Sequence, residues 1–313
     1  MAGQNRRASW GLSAILRASR AWKILPLVLV LTNATLLPTR SVHWLLLALA
    51  GVYVLVVSLL GMQLNVITDE ELDRTTKPEL AQQLSARPLL LRWVMAAEIA
   101  LSIVLLALLH SLGQGRNELL LPLLLYGVLF TCYSFNFFVP GRAAELRLKA
   151  FWWGNALAAP GCYAALWLAG LSTAGVHWSA EPRWLALAVA LSLLDYGVFL
   201  VECAEDAVEE RAHSLATLPA LLGRAGTTRV AVSLVAAGVA GIAWFLSGSS
   251  GATAHALLLV ALLQSLTALA ALRLNRAPRA LDGKRPGEQL VDFASWFTRL
   301  GMLGLLLAGY TLR

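Results

Sequence analysis

This chain reads as an all-α integral membrane protein with nine transmembrane helices, and three observations carry that reading. Of its 313 residues, 58% are apolar and only 14% charged, too few charges to cover a water-facing surface. Apolar runs of about twenty residues, the length that spans about 30 Å of hydrocarbon, recur nine times. The basic residues between them sort by side, as the positive-inside rule expects of a multi-pass protein. Mean hydropathy of +0.67 agrees. Together these exclude a soluble enzyme, a nucleic-acid binder and a disordered scaffold, so the net charge of +7 calls for a membrane explanation.

The runs fall near residues 23–39, 43–64, 88–110, 118–139, 150–172, 183–203, 228–247, 253–273 and 289–311. The first ends at Pro38-Thr39-Arg40 without a small-residue cleavage pattern, and the basic stretch before it is too long for a signal-peptide n-region. Residues 1–22 are expected as a cytoplasmic segment that lies in the interface as an amphipathic helix, and 23–313 as one nine-helix domain. Taking alternate connections together, twenty of the 25 Lys and Arg residues lie on one side. Only Arg40, Arg116, Arg183 and Arg313 lie on the other, and Arg299 sits inside the last run. The crowded side is therefore cytoplasmic and includes the N-terminus, with a bacterial inner membrane as the expected location. Ser247-Gly-Ser-Ser-Gly251 reads as a tight turn on the opposite side. The three cysteines, Cys132, Cys162 and Cys203, are widely spaced in or beside apolar runs, which suits packed thiols.

Half of the acidic residues gather in two runs at cytoplasmic helix ends: Asp69-Glu70-Glu71 with Asp73, and Glu202 with Glu205-Asp206 and Glu209-Glu210. Asn65, Asp69 and Asp73 are spaced by four, as are Glu202, Asp206 and Glu210, so each set advances only about 40° per step and shares a helix face. Asp195 lies on the face of the second set, two turns deeper. Carboxylates in such a row repel one another unless a cation sits between them. Mg²⁺ suits them, because it takes oxygen ligands and is commonly shared between carboxylates and a substrate phosphate. The plainer alternative is a pair of solvated, charged helix ends.

The segment Asn65-Val-Ile-Thr-Asp69-Glu-Glu-Leu-Asp73, followed by Lys77-Pro78, resembles the NxxxDxxxD motif of the UbiA superfamily of intramembrane prenyltransferases. Glu202 to Glu210, followed by Thr217-Leu218-Pro219 and Gly223, is similar to that family's second acidic motif and its tail. The resemblance implies a helical bundle around a central cavity. It also implies that Asp69, Asp73, Asp206 and Glu210 bind Mg²⁺, and through it the diphosphate of an isoprenoid, with Asn65 and Glu202 as polar partners. Arg20 is similar in position to a family arginine. Tyr133-Ser134 and Arg147-Leu-Lys149 resemble the two ends of the family's tyrosine-to-lysine segment, so Lys77, Arg147, Lys149 and Arg20 are expected on phosphate oxygens. The chain departs from the family pattern at Glu202 and Glu210, where aspartate is usual. It departs again after Pro78, where Glu-Leu-Ala-Gln-Gln replaces a basic continuation, and in the length of the segment from Tyr133 to Lys149.

In such a site metal and basic side chains stabilise the charge that develops as an allylic diphosphate ionises. Aromatic faces stabilise the allyl cation. Tyr133, Phe135, Phe137, Trp152, Trp153, Tyr196 and Phe199 are candidates, each weighed against core or lipid-facing packing. Asp195 is either a base that takes a proton or a structural partner of Arg299, and Glu98 reads as structural. Three functions follow: transfer of a prenyl chain to a lipophilic or aromatic acceptor such as a quinone precursor, cyclisation of the ionised chain without an acceptor, or a non-enzymatic membrane role. The acidic rows argue against the last, since so many unused carboxylates in one place are costly.

Overall fold

The computed structural model describes residues 21–38, 40–68, 88–113, 117–135, 146–204, 211, 216–248, 251–274 and 286–311. These form nine α-helices: α1 (Ala21–Leu36), α2 (Trp44–Thr68), α3 (Pro88–Leu112), α4 (Asn117–Ser134), α5 (Trp152–Thr173), α6 (Pro182–Cys203), α7 (Leu218–Leu246), α8 (Ala252–Leu274) and α9 (Pro286–Thr311). A 3-10 turn, Leu148–Ala150, precedes α5. Each long apolar run has become one helix because, in lipid, only a helix satisfies its own backbone within the segment.

Eight of the nine, α2 to α9, are long and apolar enough to cross a membrane. Within the described residues α1 has 16 residues, about 24 Å at the helical rise per residue. Residues 1–20, with the expected interfacial segment and Arg20, lie outside the described residues. Two boundaries also differ from the hydropathy reading. The fourth helix stops at Ser134, short of residue 139. The seventh begins ten residues early, at Leu218, because local chemistry starts a helix where apolarity does not. Thr217 accepts a hydrogen bond from Ala220 N as N-cap, Pro219 suits the first turn, and Gly223 at φ 66°, ψ 177° breaks the helix before it resumes.

Each helix packs on its neighbour in the chain, and α9 returns to α1, which closes the order into a ring. Within it α5 crosses to α1, and α8 to α6. Lipid removes most of the hydrophobic drive for helix association, so close approach through small residues carries the contacts. The most extensive one, α6 on α7, is built this way. A Cβ at Gly197 would sit 2.9 Å from Ala231 O, and one at Gly238 2.7 Å from Ala190 O. Gly170 of α5 likewise lies against Leu31 O and Ala34 of α1. By contrast α3 leaves Trp93, Ile103 and Val104 outward, more than half exposed, as lipid contact requires.

A polar centre bridges four helices at mid-depth. Arg299 of α9 pairs with Asp195 of α6 at 3.0 Å, both buried. Gln264 of α8 donates to the same carboxylate oxygen at 3.3 Å, and Asn33 of α1 donates to Arg299 O at 3.0 Å.

Candidate functional site

Nine helix termini lie at one end of the bundle: the starts of α1, α3, α5, α7 and α9 and the ends of α2, α4, α6 and α8. The alternation of helix direction puts them there, and the motifs read from the sequence flank these termini. Asn65 lies in the last turn of α2. Its Oδ1 accepts from Lys149 Nζ at 2.6 Å and from Ser134 Oγ at 3.2 Å. Three elements thus converge on one amide oxygen: α2, the end of α4 and the 3-10 turn. Arg147, buried at the start of that turn, donates to Thr68 O at 3.0 Å. Thr68 is the residue immediately before Asp69.

The other end of the turn is tied to the second acidic segment. Phe151 and Ala216 form an isolated parallel bridge, with Ala216 N donating to Ala150 O at 3.1 Å. Arg211, directly after Glu210, donates through Nε and Nη2 to Ala220 O at 2.9 and 2.7 Å, securing the first turn of α7. One short basic element, Arg147 to Phe151, is therefore bonded on one side to the entrance of the first acidic run and on the other to the exit of the second.

A second chain of hydrogen bonds runs beneath. Tyr196 of α6 donates to Asn155 Oδ1 at 3.0 Å, and Asn155 Nδ2 donates to Tyr133 OH at 3.3 Å. Tyr133 and Tyr196 were expected here, whereas Asn155, buried in the first turn of α5, was not. No periodicity or charge marks a lone asparagine inside an apolar run. Of the other expected aromatics, Trp153 stacks on Phe151, which was not among them, at 5.7 Å between centroids, and Phe199 on Tyr196 at 6.4 Å. Trp152 and Trp153 are about half exposed.

Glu202 stands apart from the Asn65 cluster. Its carboxylate pairs with Lys23 at the start of α1 at 3.0 Å, and Lys23 also reaches Asp292 at the start of α9 at 3.2 Å. This joins the first, sixth and ninth helices. Lys23 had counted only towards the basic N-terminus, and Asp292 is visible in the sequence only as one acid in an apolar run. Asp195, held by Arg299 and Gln264, has the surroundings expected of the structural partner.

Asp69, Asp73, Lys77, Asp206, Glu210 and Arg20 lie outside the described residues, as does Phe137. Among the described residues no group of three or more His, Cys, Asp or Glu could hold a metal ion. Among the described residues, this end of the bundle gathers two cations held by neutral oxygens, two carboxamides and two tyrosines.

The model of the UbiA prenyltransferase family matches residues 24–284. No curated protein matches the chain by sequence. Among solved structures it is similar to a UbiA homologue from Archaeoglobus fulgidus bound to GPP and Mg²⁺, with 16% identity, a TM-score of 0.67, and coverage of 95% of this chain and 99% of the homologue. It is also similar to the apo UbiA homologue from Aeropyrum pernix K1, with 21% identity, a TM-score of 0.59, and coverage of 90% and 97%. A structure of digeranylgeranylglyceryl phosphate synthase covers 97% of its own length and 96% of this chain, with 16% identity and a TM-score of 0.58. The family match over most of the chain, together with an all-helical bundle of the same architecture, makes this integral membrane protein a member of the UbiA prenyltransferase family.

Proposed function

We propose that the protein is a Mg²⁺-dependent intramembrane prenyltransferase that ionises an allylic isoprenoid diphosphate and passes the prenyl group to a lipophilic or aromatic acceptor. The observation that supports it most is the basic turn bonded at once to the flanks of both acidic segments, through Arg147 to Thr68 O and through Ala150 O to Ala216. Two structures of the same fold, each of a UbiA homologue from Archaeoglobus fulgidus, hold GPP or DMAPP with Mg²⁺.

Hard oxygen donors suit the metal, and Asp69, Asp73, Asp206 and Glu210 are the residues that would hold it. When bound, it supplies positive charge to the diphosphate oxygens. Lys149 and Arg147 add to that charge, each already oriented by a neutral oxygen and so requiring little rearrangement as negative charge develops on the leaving group. Lys77 and Arg20 take the same role from the neighbouring segments. Asn65 aligns Lys149 through its Oδ1. Asn155 fixes the hydroxyls of Tyr133 and Tyr196, which sets the two rings towards the site end as faces for the allyl cation. Glu202, paired with Lys23, sets the start of α1 against α6. The N-terminus and the site face the cytoplasm, as the basic residues require.

Product analysis tests the proposal. Purified protein is incubated with Mg²⁺ and geranyl, farnesyl or geranylgeranyl diphosphate, with and without phenolic and quinone-precursor acceptors. A prenylated product that requires the acceptor is expected. A cyclic hydrocarbon or terpene alcohol formed without acceptor would replace transfer by cyclisation.

A further inference from the structure

Away from the site, α3 has the least to hold it. It packs along α2, touches α4 only slightly, and turns most of its length outward. Yet inside its span it carries a carboxyl group, Glu98. Gln63 of α2 donates through Nε2 to Glu98 Oε1 at 2.8 Å. The remaining oxygen of each group, Gln63 Oε1 and Glu98 Oε2, is buried and has no hydrogen-bond partner among the described residues. Two orphaned acceptors at one contact between two membrane helices are costly, because lipid offers them no donor.

Other groups do not relieve them. The titratable side chain of α2 is Tyr53, whose hydroxyl donates to Leu123 O. On α4, Tyr126 is engaged with Ser58, Glu118 with His177 at the far end, and Cys132 and Tyr133 sit at the site end. On α3 itself Arg92 and His110 are exposed towards the two ends of the helix. Ser102 donates to the backbone oxygen of Glu98, which leaves the carboxyl untouched.

A carboxylic acid and a primary amide are complementary, since each offers one donor and one acceptor on the same edge. The amide N–H bond is already in place, and the oxygen left over on each group is a buried acceptor that needs a donor. We propose that Glu98 is an intramembrane proton-binding site: a proton on Oε2 is donated to Gln63 Oε1, closing a two-bond ring that docks α3 on α2. One proton then satisfies both orphaned oxygens and removes a charge from the lipid boundary. Turning the Gln63 amide over leads to the same conclusion, because it would set two oxygens face to face with a proton still needed between them. Loss of the proton leaves a carboxylate opposite an amide oxygen, so the stabilisation is present while Glu98 is protonated and is lost as pH rises through its titration. This holds whatever reaction the site end performs.

Infrared spectroscopy of the full chain in nanodiscs of zwitterionic lipid tests it, with Glu98→Gln and Gln63→Leu as variants. The expected result is a protonated-carboxyl C=O band at neutral pH that is absent in E98Q and moves to higher frequency in Q63L, where the acid has lost its partner. E98Q, whose amide closes the same ring without a proton, should melt like the wild type at neutral pH. It should also lack the fall in melting temperature that the wild type shows on going to mildly alkaline buffer. A carboxylate band in place of the acid band in the difference between wild type and E98Q would overturn the proposal. So would the same pH dependence of melting in both proteins. Should both variants fold poorly, the exchanged pair Glu98→Gln with Gln63→Glu restores one acid and one amide and must restore the band.

Discussion

At the residue scale the structure separates polar side chains that serve the site from those that hold the bundle. Asn65 belongs to the first group: its carbonyl oxygen orients Lys149, and a hydrophobic replacement would leave that cation unaligned. Lys149→Met and Asn65→Ala are each expected to lower kcat by about a hundredfold or more, the usual cost of removing a preorganised charge stabiliser, with little change in melting temperature. Steady-state kinetics beside thermal unfolding checks this, and equal losses in both measurements would assign the residues to stability. Asp195 and Arg299 belong to the second group. Removing one partner of a buried pair strands the other charge, at a cost of about 3–5 kcal/mol. Arg299→Met should therefore destabilise strongly in detergent, and the double variant Asp195→Leu with Arg299→Met should recover most of the loss. A double variant as unstable as the single one would place the effect elsewhere.

At the scale of elements, hydropathy made the helices legible and local chemistry set their ends. The runs chosen for apolarity became α2 to α9 nearly as drawn, because twenty apolar residues in lipid have one way to satisfy their backbone. The start of α7 was hidden, since Thr217, Pro219 and Gly223 act through capping and φ, to which a hydropathy window is blind. Gly223→Ala should cost about 1–3 kcal/mol, the penalty of a Cβ at a positive φ with extended ψ, a conformation that glycine alone adopts readily. Because Gly223 terminates the turn that Arg211 secures, the same substitution should lower activity as well. Gly197→Val tests the α6–α7 contact. Its side chain would meet Val235 and Ala231 O, so helix separation and a clear drop in melting temperature are expected, whereas unchanged melting would mean that this contact is looser than it is drawn.

Across the whole molecule, charge sorting predicts the direction of the chain, and the alternation of the helices brings the motif-flanking termini to one end. The partners that complete that end were not legible. Lys23, Asp292 and Asn155 come from three helices distant in sequence, and nothing local marks an isolated polar residue as a neighbour of another. Cysteine labelling checks the orientation. In intact cells, and with Cys203→Ser as background, Ala180→Cys should react with a membrane-impermeant maleimide. Ala216→Cys should react only after the membrane is opened, and the reverse pattern would invert the topology. The proposed reaction is ionisation of an allylic diphosphate by the two acidic segments and the basic turn between them. Its most direct test is release of inorganic diphosphate from geranyl or farnesyl diphosphate by the purified protein. Release that requires Mg²⁺ and disappears in both Asp69→Ala and Asp206→Ala is the predicted result. Release that is indifferent to the metal, or that survives both substitutions, would contradict it.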